Sequence, residues 1–137
     1  MHILMCNDDG ILADGLRHLA SYLSQYYRIT VVAPANEQSA KSHALTTEIP
    51  LKLDAYNGED ENPRLYALTG TPSDCMKFGL SYLLADDMPD LVISGINHGF
   101  NLGSDVLYSG TVSAAMESAF YGIPGLALSV ERYSIER

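Results

Sequence analysis

Basic residues are scarce in this chain. Lys and Arg number 8 against 17 Asp and Glu, for a formal charge of −9. A broad nucleic-acid surface needs clustered cations facing the phosphates, so a nucleic-acid polymer is excluded as a partner. A small anionic substrate held through a metal is not. Cysteine is scarce too. Cys6 and Cys75 are isolated in apolar contexts, which gives neither a disulfide framework nor a CxxC metal pair. A reduced, cytoplasmic setting is expected. No apolar run approaches the ~20 residues of a membrane span. The start, "MHILMCNDDG", has no basic region and no small-residue cleavage site, so no signal peptide and no membrane partner are expected. Repeats, low-complexity tracts and linkers are also missing. The 137 residues read as one domain, 1–137, large enough to bury a core. Mean hydropathy of +0.01 suits a soluble globular chain.

What the chain does have is alternation. "HILMC" (2–6), the β-branched "RITVVAP" (28–34), "LYALT" (65–69), "DLVISG" (90–95) and "GLALSV" (125–130) read as strands. "IPLKLD" (49–54) alternates as an edge strand does. Helices are predicted over 14–26, with Asp14 as N-cap, over 71–85 and over 111–122. The second opens with Thr71 as N-cap, Pro72 at N1 and Asp74 at N3. The third ends at Gly122 with Pro124 beyond. Buried strands alternating with helices predict an α/β fold with a mainly parallel sheet and helices on both faces. Ligands of such sheets bind beyond the carboxyl ends of the strands.

Three polar loops fall at that rim: "NDDG" (7–10), "APANEQSAKS" (33–42) and "GINHGFNLGSD" (95–105). Adjacent Asp8 and Asp9 repel each other, and a turn does not require both. A hard divalent cation wants oxygen ligands and removes that repulsion. Simple capping of the next segment is the competing explanation. The third loop spaces Gly95, Gly99 and Gly103 every four residues around Asn97 and Asn101. Glycine permits close backbone approach, and Asn offers a carbonyl to a metal or an amide to a phosphate. "YSGTVSAA" (108–115) then enters a helix, whose free N–H groups suit an anion. Ser109 and Thr111 add hydroxyls that serve either a phosphate or the helix cap. The loops hold almost no Lys or Arg, Lys41 being the exception.

"MHILMCNDDGI", "VVAP…S", "GTPSDC", "SGINHGFNLGSDVLYSGTVSAAME" and "GIPGLALS" resemble the SurE (survival protein E) family of metal-dependent nucleotide phosphatases. The likeness runs through nearly the whole chain in order. It implies a Rossmann-like core and one divalent cation per subunit, Mn²⁺ or Mg²⁺. Matched motif by motif, the family's metal ligands fall on Asp8, Asp9, Ser39 and Asn97. Asn101, Ser109, Gly110 and Thr111 would hold the phosphate. The implied reaction releases phosphate from nucleoside 5′-monophosphates, and 3′-monophosphates as a second class, by attack of a metal-bound water. Asp8 or Asp9 would accept its proton. His43 and His98 lie near these motifs, His98 as a candidate leaving-group acid. The resemblance also implies a homodimer or homotetramer, built with C-terminal segments beyond "ERYSIER".

Four positions, in three places, depart from the family pattern. Ala35–Asn36 replaces an Asp–Arg pair, Ala40 replaces Gly, and Ser118 replaces Gly after "AAME". Rival classes fit less well. A signalling receiver needs a phosphoacceptor Asp where "DLVISGIN" offers Ser94 and Asn97. A haloacid-dehalogenase-type phosphatase needs two Asp separated by one residue. The alternative that survives is a non-catalytic metal- or nucleotide-binding module of the same fold.

Overall fold

The computed structural model describes residues 1–38 and 43–131. Ser39, Ala40 and Lys41 lie outside the described residues, as do positions 132–137. Six strands form one sheet in the order β3-β4-β2-β1-β5-β6. They are β1 (His2–Cys6), β2 (Arg28–Pro34), β3 (Leu53–Ala55), β4 (Arg64–Leu68), β5 (Leu91–His98) and β6 (Gly125–Val130). All neighbours pair in parallel except β3 with β4. The helices are α1 (Asp14–Leu23), α2 (Pro72–Phe78) and α3 (Gly110–Glu117).

Strand periodicity places the core on both faces. Ile3 and Met5 point to the side of Leu16 and Ala20 on α1. Leu4 and Cys6, between them in sequence, point to the side of Cys75 and Met76 on α2 and Ala114 on α3. Successive side chains of a strand face opposite ways, so an unbroken apolar run such as "HILMC" needs a helix layer on each face. The expected Rossmann-like α/β architecture is what forms. Among the described residues, no helix is long and apolar enough to cross a membrane.

Element ends differ from the sequence reading in several places: α1 stops at Leu23 rather than 26, and the edge strand β3 forms only over Leu53–Ala55 rather than 49–54. The N-cap of α1 is Ala13, in extended conformation, and Asp14 is the first helical residue. There its charge still complements the helix dipole. The second helix is α-helical only to Phe78 and continues as a π-turn over Gly79–Leu83. Its start is as read: the Thr71 hydroxyl accepts from Asp74 N–H at 3.1 Å, and the Asp74 carboxylate accepts from Thr71 N–H at 2.9 Å. The third helix tightens to a 3₁₀ turn over Ser118–Tyr121 before Gly122 at φ +71°. Finally, β5 runs on through "GINH" as strand. Its register with β6 shifts between Ser94 and Asn97, a bulge made possible by Gly95 at φ +126°. A side chain at Gly95 would collide with the Leu128 carbonyl.

Candidate active site

From β1 the chain runs outward in one direction through β2 to β4, and in the other through β5 to β6. The carboxyl ends of β1 and β5 therefore flank the switch point, where open α/β sheets bind ligands. A cleft of about 610 Å³ opens there.

The "NDDG" turn is held from three directions. Buried Asn7 brackets it: its side-chain amide donates to Gly10 O at 2.9 Å, and its oxygen accepts from Gly10 N–H at 3.1 Å. Gly10 sits at φ +102°, a conformation that side-chain-bearing residues adopt at a cost. Gln38 N–H donates to Asp8 O at 2.8 Å, which ties the loop after β2 to the turn. From α3, Thr111 Oγ1 donates to Asp8 Oδ1 at 2.8 Å. That helix comes close because Gly110 has no side chain. A Cβ there would lie 2.8 Å from Asp8 Cβ.

Asp8 is 7% exposed and Thr111 is fully buried. Burial pushes the Asp8 carboxyl above its usual range, against the pull of the Thr111 hydroxyl. Asp9 is pushed up by burial and then by the charge of Asp8, with His98 opposing. The Oδ2 atom of Asp9 is buried and has no hydrogen-bond partner among the described residues. An ionised carboxylate oxygen without a partner is costly in such a place. A divalent cation would satisfy it and cancel the repulsion from Asp8. Among the described residues, no group of three or more His, Cys, Asp and Glu side chains is arranged to hold a metal. The donor set is thus an Asp pair completed by neutral oxygens, which fits a hard cation such as Mg²⁺ or Mn²⁺. Asn97 lines the same cleft. Its amide N–H donates to Gly99 O at 2.8 Å, leaving the side-chain oxygen as the end for a cation. Ser39, the fourth ligand the resemblance implies, lies outside the described residues.

The four phosphate-site expectations separate. Ser109 lines the cleft, yet its hydroxyl accepts from Val112 N–H at 3.1 Å as the cap of α3. The Thr111 hydroxyl is committed to Asp8. Gly110 supplies close approach, and Asn101 lines the cleft while donating to Ser129 Oγ at 2.8 Å. The backbone at the start of α3 is the remaining anion-facing feature. Of the two histidines, His98 lines the cleft. His43 does not: it bonds Glu117 at 2.6 Å and meets the Phe120 ring edge-on. Five lining residues were not anticipated as site residues: Ala13, Asp14, Glu37, Asp105 and Tyr108.

An oxygen-rich, anionic cleft thus sits at the switch point of a Rossmann-like, mainly parallel sheet, beside a helix N-terminus. The model of the family described as Survival protein SurE matches residues 3–137. The "5'-nucleotidase SurE" of Thermoanaerobacter sp. (strain X514) is 55% identical over 129 residues, 94% of this chain and 50% of that protein. The protein of the same name from Thermosipho africanus (strain TCF52B) is 52% identical over 139 residues, 99% of this chain and 52% of its own length. The crystal structure of the SurE protein from Aquifex aeolicus superposes with a TM-score of 0.86 at 42% identity, covering 98% of this chain and 53% of that one. The chain belongs to the SurE family. It spans about half the length of the curated relatives it matches.

Proposed function

We propose that this chain carries the active site of a divalent-metal-dependent phosphohydrolase acting on nucleoside 5′-monophosphates. The observation that carries the reading is the buried Asp9 oxygen, unpartnered among the described residues, beside Asp8 at the switch-point cleft. The relatives named 5'-nucleotidase SurE support it. Asp8, Asp9 and Asn97 hold the cation, and Ser39 is the fourth proposed ligand. When bound, the cation polarises the phosphoryl group and lowers the pKa of a coordinated water. Thr111 fixes the orientation of Asp8 through its hydroxyl. Whichever aspartate binds the cation less tightly takes up the proton of the attacking water. The N–H groups at the start of α3, with Asn101, Ser109 and Gly110, receive the phosphate. Hydrolysis of 3′-monophosphates is the second activity this site accommodates. Residues 1–137 are proposed to form a single domain, and the protein to act as a homodimer or homotetramer.

The test is phosphate release from a panel of 5′- and 3′-mononucleotides after EDTA treatment, with and without added Mn²⁺ or Mg²⁺. Metal-restored release from 5′-monophosphates is the expected result. Nucleotide binding without turnover under every metal would replace the enzyme with a binding module.

A further inference from the structure

His43 lies outside the cleft, yet it is tied to the helix that meets Asp8. Its Nε2 donates to Glu117 Oε2 at 2.6 Å, in the last turn of α3. The residues after it are tied to the start of α2. Ala44 O accepts from Thr71 Oγ1 at 2.6 Å. Thr46 donates to the Asp74 carboxylate through its N–H at 3.0 Å and its hydroxyl at 2.6 Å. Residues 43–46 thus form a strap between α2 and α3. The two helices meet again at the cleft, where Gly110 is wedged between Pro72 and Asp8. A Cβ there would lie 3.1 Å from Pro72 Cγ and 2.8 Å from Asp8 Cβ. Thr111, the next residue, reaches Asp8. Any shift of α3 against α2 therefore shifts the hydroxyl that orients the carboxylate.

Stability alone does not account for Glu117. The residue is 7% exposed, and a buried carboxylate is costly even with a partner. Replacing such a pair by apolar residues of similar volume is often neutral or stabilising. A negative charge in the last turn of a helix also opposes the helix dipole. What a buried hydrogen-bonded pair supplies is one geometry out of several. We infer that His43 and Glu117 are a positioning pair for the metal site. Their bond locks the strap to α3, sets the height at which Thr111 meets Asp8, and through Asp8 sets the affinity for the cation. The inference rests on the reading of Asp8 as a ligand of a divalent cation.

The experiment titrates Mn²⁺ by calorimetry into the metal-free, full-length protein without substrate, and melts the same metal-free samples. His43→Ala should weaken Mn²⁺ binding by about 10-fold, the lower end of what groups supporting metal ligands cost. His43→Gln keeps an N–H donor for Glu117 and should restore most of the affinity. The apolar pair His43→Leu/Glu117→Met should melt no lower than the unmodified protein and still bind Mn²⁺ about 10-fold more weakly. Combining His43→Ala with Thr111→Val should weaken binding no further than Thr111→Val alone, because both act through one hydroxyl. Unchanged Mn²⁺ affinity in His43→Ala or in the apolar pair would overturn the inference. So would losses that add in full when His43→Ala and Thr111→Val are combined, or a His43→Gln variant as weak as His43→Ala. The unmodified protein tests the underlying reading separately: no Mn²⁺ binding there would remove that reading, and this inference with it.

Discussion

Two clefts of nearly equal volume sit at opposite ends of the same strands: about 610 Å³ at the carboxyl ends and about 600 Å³ at the amino ends. Size does not tell them apart. At the amino rim a mixed set of buried and exposed polar groups is mostly paired, although buried His2 Nδ1 lies 3.7 Å from Asp87 with no hydrogen-bond partner among the described residues. Asp90 accepts from His2 N–H at 2.7 Å. The Thr30 hydroxyl receives Arg64 at 3.2 Å and meets His2 Nε2 at 2.9 Å. Arg28 bonds Asp87 at 2.8 Å. The Asn62 side chain binds three backbone groups, Ile29 N–H, Ser24 O and Tyr27 O. At the carboxyl rim, two carboxylates are pressed together and one of their buried oxygens has no partner among the described residues. Polar groups that mostly pair with one another strengthen the fold, whereas two crowded carboxylates cost it unless a cation joins them. The rim that costs the fold is the candidate active site.

The comparison breaks most visibly at Asp9. Asp9→Asn should cut phosphate release by more than about 100-fold, since even residues that only support metal ligands cost 10–100-fold. The metal-free variant should melt no lower than the unmodified protein, because the substitution removes a desolvated charge beside Asp8. Calorimetric Mn²⁺ titration and thermal melting check both halves. A clear drop in the metal-free melting temperature would make Asp9 structural, like the amino rim.

Asn62→Ala should behave in the opposite way. Three hydrogen bonds to the backbone are lost, each worth ~0.5–1.5 kcal/mol net, and water replaces part of them at this exposed side chain, so a loss of about 1–3 kcal/mol is expected in urea unfolding. Turnover of the folded protein at saturating metal should hold.

These contrasts also mark what the sequence shows on its face. Asp8–Asp9 is legible because two like charges at the end of an apolar strand are unfavourable without a partner. "TPSD" is legible because a capping box is closed within four residues. The bond from Thr111 to Asp8 joins residues 103 apart in sequence, and that from His43 to Glu117 joins residues 74 apart. No local pattern encodes either. A threonine at the start of a helix therefore reads as a phosphate donor when its hydroxyl holds a carboxylate instead. Asn7 looks like an ordinary turn residue until both ends of its amide are seen to close on Gly10. The acidic rim escapes for the same reason: Glu37, Asp105 and Asp14 come from three separate loops and helix starts, and only the fold gathers them.

The two rims should also differ in the sign of their pH dependence. The Thr30 hydroxyl accepts from Arg64 at 3.2 Å and shares a hydrogen bond with His2 Nε2 at 2.9 Å. Burial, and next the Arg28 charge, push the His2 pKa below 6.5, with Asp87 opposing. As pH falls through 6.5 the unfolded chain takes up a proton that the folded one refuses, so this group makes the fold weaker in acid. Asp8 and Asp9 have raised pKa values. In the metal-free protein they favour the fold at low pH, and that contribution is lost as pH rises above 3.8. Urea midpoints across pH 4–8 for the unmodified protein, His2→Gln and Asp9→Asn separate the two. His2→Gln should flatten the slope around pH 6.5, and Asp9→Asn the decline above pH 3.8. Saturating Mn²⁺ should remove only the second slope. An unchanged profile in His2→Gln would show that the ring titrates alike in both states.

The smallest effect is expected where the rims' two kinds of role meet, in the first turn of α3. Ser109 caps the helix and lines the cleft, while Thr111, two residues on, reaches Asp8. Ser109→Ala removes an N-cap, which typically costs ~1 kcal/mol of stability, and leaves the Asp8–Asp9 pair untouched. Mn²⁺ affinity should therefore hold while the melting temperature falls slightly. KM should rise by no more than a few-fold, since the backbone N–H groups remain to face the phosphate. Thr111→Val keeps the shape of the side chain and deletes the hydroxyl bonded to Asp8. It should weaken Mn²⁺ binding, and turnover should recover when metal is raised to saturation. Titrating Mn²⁺ into each variant without substrate, then measuring kinetics at saturating metal, separates the two. If Ser109→Ala lost metal and Thr111→Val did not, the hydroxyl that orients the carboxylate would be the one at the cap.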